Sequence, residues 1–271
     1  GSLRTRFAAN QYTGWQTEYL VKDDRDMELF LKYYPMPIKV DWTPVREAKM
    51  RVGNKGIVRS YFCNYGQPGI WQSITELMGV ENAIMRAIDD PDFIHNAAKV
   101  ITEKSLKTIE AMGKIELDLI ENGGGAASST VISPSMYREF CLPYDKQINS
   151  ALKAGGTKVV YHLCGGLMPL LEIVAENGAD CLETMTPPSM GGDCRLAEAR
   201  KRVGDKLAFI GGFDQNAGFE KGNPDLIRKM VFELFEACPD GGYICSPSDH
   251  FFFGPVENIR AFVEACKECR Y

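Results

Sequence analysis

Lys158-Val159-Val160-Tyr161-His162-Leu163-Cys164-Gly165-Gly166 is an apolar run that closes on a glycine pair and leads into the helical pattern of residues 167–177. A strand followed at once by a helix is one step of a parallel sheet, because parallel neighbours need a crossover between them. The same step recurs along the chain. Candidate strands at 57–63, 179–185, 207–211 and 242–245 are each short, apolar and followed by a loop of polar or Gly/Pro residues. Helices are predicted over 80–88, 91 to about 120, 133–151 with a break near Pro143, 195–203, 223–237 and 255–267. Apolar residues recur there every three or four positions, and Asp89-Asp90-Pro91 supplies a break, an N-cap and a first-turn proline.

Parallel strands joined by helices form either an open doubly wound sheet or a closed barrel. No G-x-G-x-x-G follows a predicted strand. Polar, cysteine and histidine residues collect instead at the C-terminal ends of several strands: Cys63-Asn64-Tyr65, His162 with Cys164, Glu183, Asp214 and Asp249-His250. A barrel brings such residues onto one open face, so the expected fold is α/β, a (β/α)8 TIM-like barrel. Five strands are legible, so the barrel either lacks its first strand or two or hides them in 123–128 and the N-terminal segment. Residues 1–50 read as an irregular cap, with a short hairpin suggested by 13–19 and the alternation through Tyr34, Met36, Ile38 and Val40, then a helix over 44–49. Without an internal repeat or linker, residues 1–271 are assigned to one domain. Gly1-Ser2 has the look of a tag-cleavage remnant.

The chain has 271 residues, 31 basic and 36 acidic, for a net charge of -5. No Lys/Arg run or basic stripe is present to meet a phosphate backbone, so no nucleic-acid partner is expected. No apolar stretch reaches membrane-spanning length and the start carries no signal-like run, which predicts a cytoplasmic protein without membrane contact. An incomplete barrel would expose a strand edge through which a homodimer could form. Nine cysteines, an odd number without regular spacing, read as reduced thiols. Cys266-Lys267-Glu268-Cys269 lacks both the strand-to-helix setting of a redox pair and the second ligand pair of a zinc site.

His162 and Cys164 are two apart, which in an extended segment puts both side chains on one face. Imidazole and thiolate suit a borderline-soft ion such as zinc, with four-coordinate geometry. A third donor must come from elsewhere. Cys245, near the end of the last predicted strand, would complete a Cys2His set with one open position; Glu183, Asp249 and His250 also have suitable chemistry. His250 is alternatively a general acid or base, or an ordinary exposed loop histidine. The His162-Cys164 pair itself is also compatible with a buried small hydrophobe beside a hydrogen-bonded core histidine. His95 falls in a helical pattern and reads as a surface or cap residue. Asp214, just past Gly211-Gly212-Phe213, either orients a ligand or caps the next turn. Residues 123–129, Gly-Gly-Gly-Ala-Ala-Ser-Ser, could cradle an anion but carry no following phosphate-loop lysine. Phe251-Phe252-Phe253 suits a pocket wall, a partner contact or a cap over the rim.

Taken in order, Trp15 with Tyr19-Leu20-Val21-Lys22, Pro68-Gly69, Ile132-Ser133-Pro134 with Tyr137-Arg138-Glu139-Phe140 and Pro143, His162-Leu163-Cys164-Gly165, Gly211-Gly212 and Pro255 through Ile259 resemble the uroporphyrinogen decarboxylase superfamily, and within it the cobamide-dependent methyltransferase branch. The resemblance implies a (β/α)8 barrel. It also implies zinc held by the H-x-C pair and a distant cysteine, and a corrinoid carried on a small partner protein. The methyl group would pass between that corrinoid and a small methylated substrate or a thiol. His162, Cys164 and Cys245 are then the first expectation for the metal ligands, with Glu183 or Asp249 as the alternative third. Asp249, His250 and Glu183 are the expected catalytic groups, and Asn64, Tyr65 and Asp214 the expected contacts to the cofactor.

Two departures qualify the resemblance. The family's late cysteine aligns with Ser248 or Asp249, and Cys245 comes a few residues early. The arginine-rich segment of true decarboxylases is missing, which disfavours a metal-free decarboxylase. A corrinoid-binding or assembly protein without turnover is the remaining alternative.

Overall fold

The structure, a computed structural model, describes residues 2–62 and 66–271. Strands β1 (Arg6–Ala9) and β2 (Gly14–Glu18) form an antiparallel hairpin, so the segment 13–19 pairs with the residues before it, and the alternating residues Tyr34, Met36, Ile38 and Val40 form no strand. Its turn is held by the Asn10 side chain, which accepts from the backbone N–H of Tyr12 at 2.8 Å and of Thr13 at 3.0 Å. A helix at Asp24–Tyr33 starts on the Asp23 N-cap. The next, Thr43–Val52, runs past the predicted 44–49 to Gly53, whose φ of 57° ends it.

Six further strands follow: β3 (Arg59–Tyr61), β4 (Leu119–Gly123), β5 (Lys158–His162), β6 (Cys181–Thr184), β7 (Ala208–Phe213) and β8 (Tyr243–Pro247). β3 pairs with β4 in parallel, β5 through β8 pair in parallel in succession, and sheet order follows chain order. The fold is α/β with a six-stranded sheet, an incomplete barrel of the expected (β/α)8 type.

Several elements differ from the prediction: Asp24–Tyr33 is a helix within the expected irregular cap, and the helix expected over 167–177 is a 3-10 turn at Met168–Leu170 followed by one α turn at Leu171–Val174. The helix expected to reach about residue 120 stops at Met112, where Gly113 adopts φ 63°. Beyond it Ile115, Leu117 and Leu119 are buried in alternation, the period of a strand approach, and β4 follows. An additional helix, Ile70–Met78, occupies a stretch with no predicted element. Gly79, at φ 89°, separates it from the helix Val80–Asp89, and a Cβ there would lie 2.7 Å from the Tyr19 ring.

The chain divides into two compact units, 1–127 with 135–159 and 128–134 with 160–271. In the first, Trp71, Ile74, Ile94 and Ile148 are fully buried, and the Trp71 indole N–H donates to the Ala126 carbonyl at 3.0 Å. His95 lies here, with Nδ1 2.7 Å from the Tyr144 hydroxyl and its ring 4.8 Å from that of Phe140. The glycine-rich segment also departs from an open anion cradle, because the Ala126 amide is taken by Gln72 Oε1 at 2.9 Å. The second unit packs Phe213, Phe219, Ile227, Val231 and Ala265 into one cluster, with the Phe213 and Phe219 rings 5.0 Å apart.

Candidate active site at the strand ends of the second unit

His162 ends β5, in register with Glu183 of β6. Register neighbours on parallel strands share a face, so the two side chains meet: His162 Nδ1 lies 2.9 Å from Glu183 Oε1. Cys164, two residues on, raises the basicity of the same histidine through its sulfur. Burial would push the His162 imidazolium toward deprotonation, but the contacts with Cys164 and Glu183 outweigh it and hold its pKa up at about 10. The structure therefore joins two of the residues expected from sequence, His162 and Glu183, by a direct hydrogen bond, with Cys164 two residues beyond the histidine.

Cys245 is not among them. Glu183 is in register with Ile210, and Ile210 with Ile244, whereas Cys245 is in register with Gly211 and through it with Thr184. That places Cys245 on the opposite face of the sheet from His162. Its thiol hydrogen-bonds Cys266 of the helix Val256–Glu268, within the layer around Phe213 and Phe219. The bond to Cys266 and burial push the Cys245 thiol well above the usual range, which further disfavours it as a thiolate ligand. Among the described residues, neither Cys164 nor Cys245 belongs to a group of three or more His, Cys, Asp or Glu side chains close enough to share one ion.

The remaining expected residues are placed separately. Asp214 is buried and accepts from Ser189 Oγ at 2.6 Å and from the Ala217 N–H at 2.8 Å, so it caps the turn after β7 as well as facing the strand ends. Asp249 Oδ1 lies 2.7 Å from both the backbone N and Nδ1 of His250, whose side chain is 91 % exposed. Phe251 packs against Phe219 with ring centroids 4.7 Å apart, while Phe252 and Phe253 are exposed. Asn64 and Tyr65 lie outside the described residues.

Sequence reasoning missed the residues that hold this site in place. The loop after His162 is fastened by side chains at five backbone groups. Leu163 O accepts from Thr184 Oγ1 at 2.9 Å, Gly165 N donates to Thr186 Oγ1 at 3.3 Å and Gly166 N to Thr130 Oγ1 at 2.7 Å. Leu167 N and Met168 N both donate to Asp193 Oδ1, at 2.6 and 3.0 Å. Gln215, buried at the end of β7, similarly donates to His250 O at 3.1 Å and accepts from Asp249 N at 3.3 Å. The one signal available was Glu183-Thr184-Met185-Thr186, with hydroxyls at alternate positions beside a candidate carboxylate.

A parallel α/β fold with an acid, an imidazole and a sulfur gathered at its strand ends defines a barrel-type protein with site residues placed as in an enzyme. The chain belongs to the uroporphyrinogen decarboxylase family, whose profile, uroporphyrinogen decarboxylase (URO-D), matches residues 67–269. It is 26% identical over 197 residues to a methylated-thiol–coenzyme M methyltransferase of Methanosarcina mazei, covering 71% of this chain and 49% of that protein. It is 28% identical over 192 residues to uroporphyrinogen decarboxylase 2, chloroplastic, of Oryza sativa subsp. japonica, covering 68% of this chain and 45% of that one. A uroporphyrinogen decarboxylase of Neisseria meningitidis is 34% identical over 153 residues, 53% of this chain and 39% of its own length. The chain thus spans about half, or less, of the length of these relatives. Among solved structures, a methyltransferase from Methanosarcina mazei superposes with a TM-score of 0.75 at 19% identity, covering 98% of this chain and 75% of that one, which establishes the shared fold. No helix among the described residues is long and apolar enough to cross a membrane.

Proposed function

We propose that this chain acts in zinc-dependent methyl transfer between a small methyl donor or thiol acceptor and a corrinoid carried on a small partner protein. The observation that carries the reading is the meeting of His162 and Glu183 at the ends of β5 and β6, with Cys164 two residues beyond the histidine. Surroundings that hold a proton on an imidazole up to about 10 favour positive charge at that point, and a metal ion exploits the same preference once the proton leaves. His162 and Cys164 would hold the ion, with Glu183 orienting the imidazole; Cys245 lies on the other face of the sheet. When bound, zinc supplies Lewis-acid activation of a thiol or methyl donor.

The chain's own groups have separable tasks. Glu183, accepting from Nδ1, orients the His162 ring and fixes the tautomer in which Nε2 carries the lone pair. Asp249 orients His250, whose exposed ring can exchange a proton with substrate or solvent. Asp214 keeps acceptor capacity beyond its two donors and can position a polar substrate group.

Metal analysis after reducing, metal-replete purification tests the proposal. About one equivalent of zinc, lost in a His162→Ala, Cys164→Ser double variant, is the expected result. A metal-free wild type would overturn it and favour the decarboxylase reading, for which the 34% identity to the Neisseria protein is the supporting observation.

A further inference from the structure

Cys164 lies between two backbone groups that a single chain of hydroxyls ties down. The Gly165 N–H donates to Thr186 Oγ1 at 3.3 Å, Thr186 Oγ1 donates to Thr184 Oγ1 at 3.2 Å, and Thr184 Oγ1 donates to the Leu163 carbonyl at 2.9 Å. Every proton in this relay runs one way, so both hydroxyls donate and accept and neither is left unsatisfied although both threonines are buried. The relay starts one residue after Cys164 and ends one residue before it.

The segment that supplies these hydroxyls is strained. Thr184 and Met185 are the non-glycine residues with positive φ among the described residues, at 80° and 46°, and a β-branched threonine is poorly suited to that region. The surroundings enforce the conformation. The Thr184 carbonyl sits so close to Gly211 that a Cβ there would meet it at 2.2 Å, and the Thr186 carbonyl accepts from Cys194 N at 3.0 Å while crowding Gly192, where a Cβ would meet it at 2.1 Å. Strain of this kind persists where the rest of the fold over-determines it, and it falls directly after Glu183.

We propose that Thr184 and Thr186 are positioning residues whose hydroxyl relay pins the backbone on both sides of Cys164, with the strained turn at 184–185 holding both hydroxyls in place directly after Glu183. The task given to the pinned thiol rests on the zinc reading above, but the pinning itself can be tested without metal.

The test compares Thr186→Val and Thr186→Ser in the whole protein by two measurements. In chelator-treated protein, iodoacetamide modification of Cys164 is followed by peptide mass spectrometry, with Cys266 as the internal reference. Thr186→Val should speed modification of Cys164 severalfold and leave Cys266 unchanged, while Thr186→Ser, which keeps the hydroxyl, stays at the wild-type rate. Cobalt(II) titration followed through thiolate absorption should show about a tenfold or greater loss of affinity in Thr186→Val and recovery in Thr186→Ser, as for other groups that orient metal ligands. If Thr186→Val does not fold, Thr186→Ala removes the hydroxyl without adding bulk and carries the same expectations. An unchanged or slower Cys164 modification, or equal acceleration at Cys266, overturns the proposal. Failure of the wild type to take up cobalt sinks the zinc reading alone, and the modification rates then decide the positioning role.

Discussion

His162 Nδ1 and Glu183 Oε1 stand 2.9 Å apart at in-register positions of neighbouring parallel strands. The pairing is a consequence of register: one residue of slip on either strand would send one of the two side chains through to the other face. It also ties the histidine's charge to the Glu183 carboxylate.

In metal-free protein, Glu183→Gln should lower the His162 pKa from about 10 toward the ordinary histidine value near 6.5, as followed by NMR titration of the ring. Because the folded-state pKa is raised, the stability linked to this proton is fully present below about 6.5 and is lost as pH rises through about 10. Urea midpoints of wild type should fall between pH 6.5 and 10 more than those of Glu183→Gln. Parallel pH profiles for the two proteins would contradict this assignment.

Cys164→Ser should weaken zinc binding far more than Cys266→Ser, since Cys164 lies two residues beyond His162 at the end of β5 while Cys266 bonds Cys245 on the other face of the sheet. Competition with a chromogenic chelator measures both affinities. Equal retention would remove the basis of the site.

Gly211→Ala should destabilise the fold by about 3 kcal/mol, because the new Cβ would meet the Thr184 carbonyl at 2.2 Å on a backbone with φ 114°. Gly178→Ala is the control: its φ is 82° but nothing lies within 4 Å, so only the backbone penalty of about 1 kcal/mol applies. Chemical denaturation of both variants separates crowding from conformational strain.

Gln215→Leu should cost about 2 kcal/mol and loosen the Asp249-His250 loop, since it removes both bonds that fasten that loop and leaves the Asp249 amide without its partner. Faster hydrogen exchange at Asp249, with the core of the second unit unaffected, is the expected signature.

Much of the fold was legible because β5 to β8 are apolar runs closed by polar or glycine-containing loops, each followed by a helical pattern. β4 was not, because Ile115, Leu117, Leu119 and Ile120 follow a 22-residue helix closely enough to pass for its continuation. His162, Cys164 and Glu183 could be picked out by residue type and position at strand ends. Cys245 satisfied the same criteria and failed on parity: which face a strand residue occupies depends on its register with β7, and a one-residue offset decides it. The backbone conformation at Thr184 and Met185 leaves no mark in composition, since the residues that impose it, Gly192 and Gly211, belong to other segments.

The four successive amides from Gly165 to Met168 are all claimed, by Thr186, Thr130 and Asp193. A phosphate or carboxylate arriving at that turn would find no unspent N–H to greet it and a carboxylate already installed. The turn therefore offers an anion no backbone donor, and Asp193, whose carboxylate spans two of the four amides, is the group that keeps it closed.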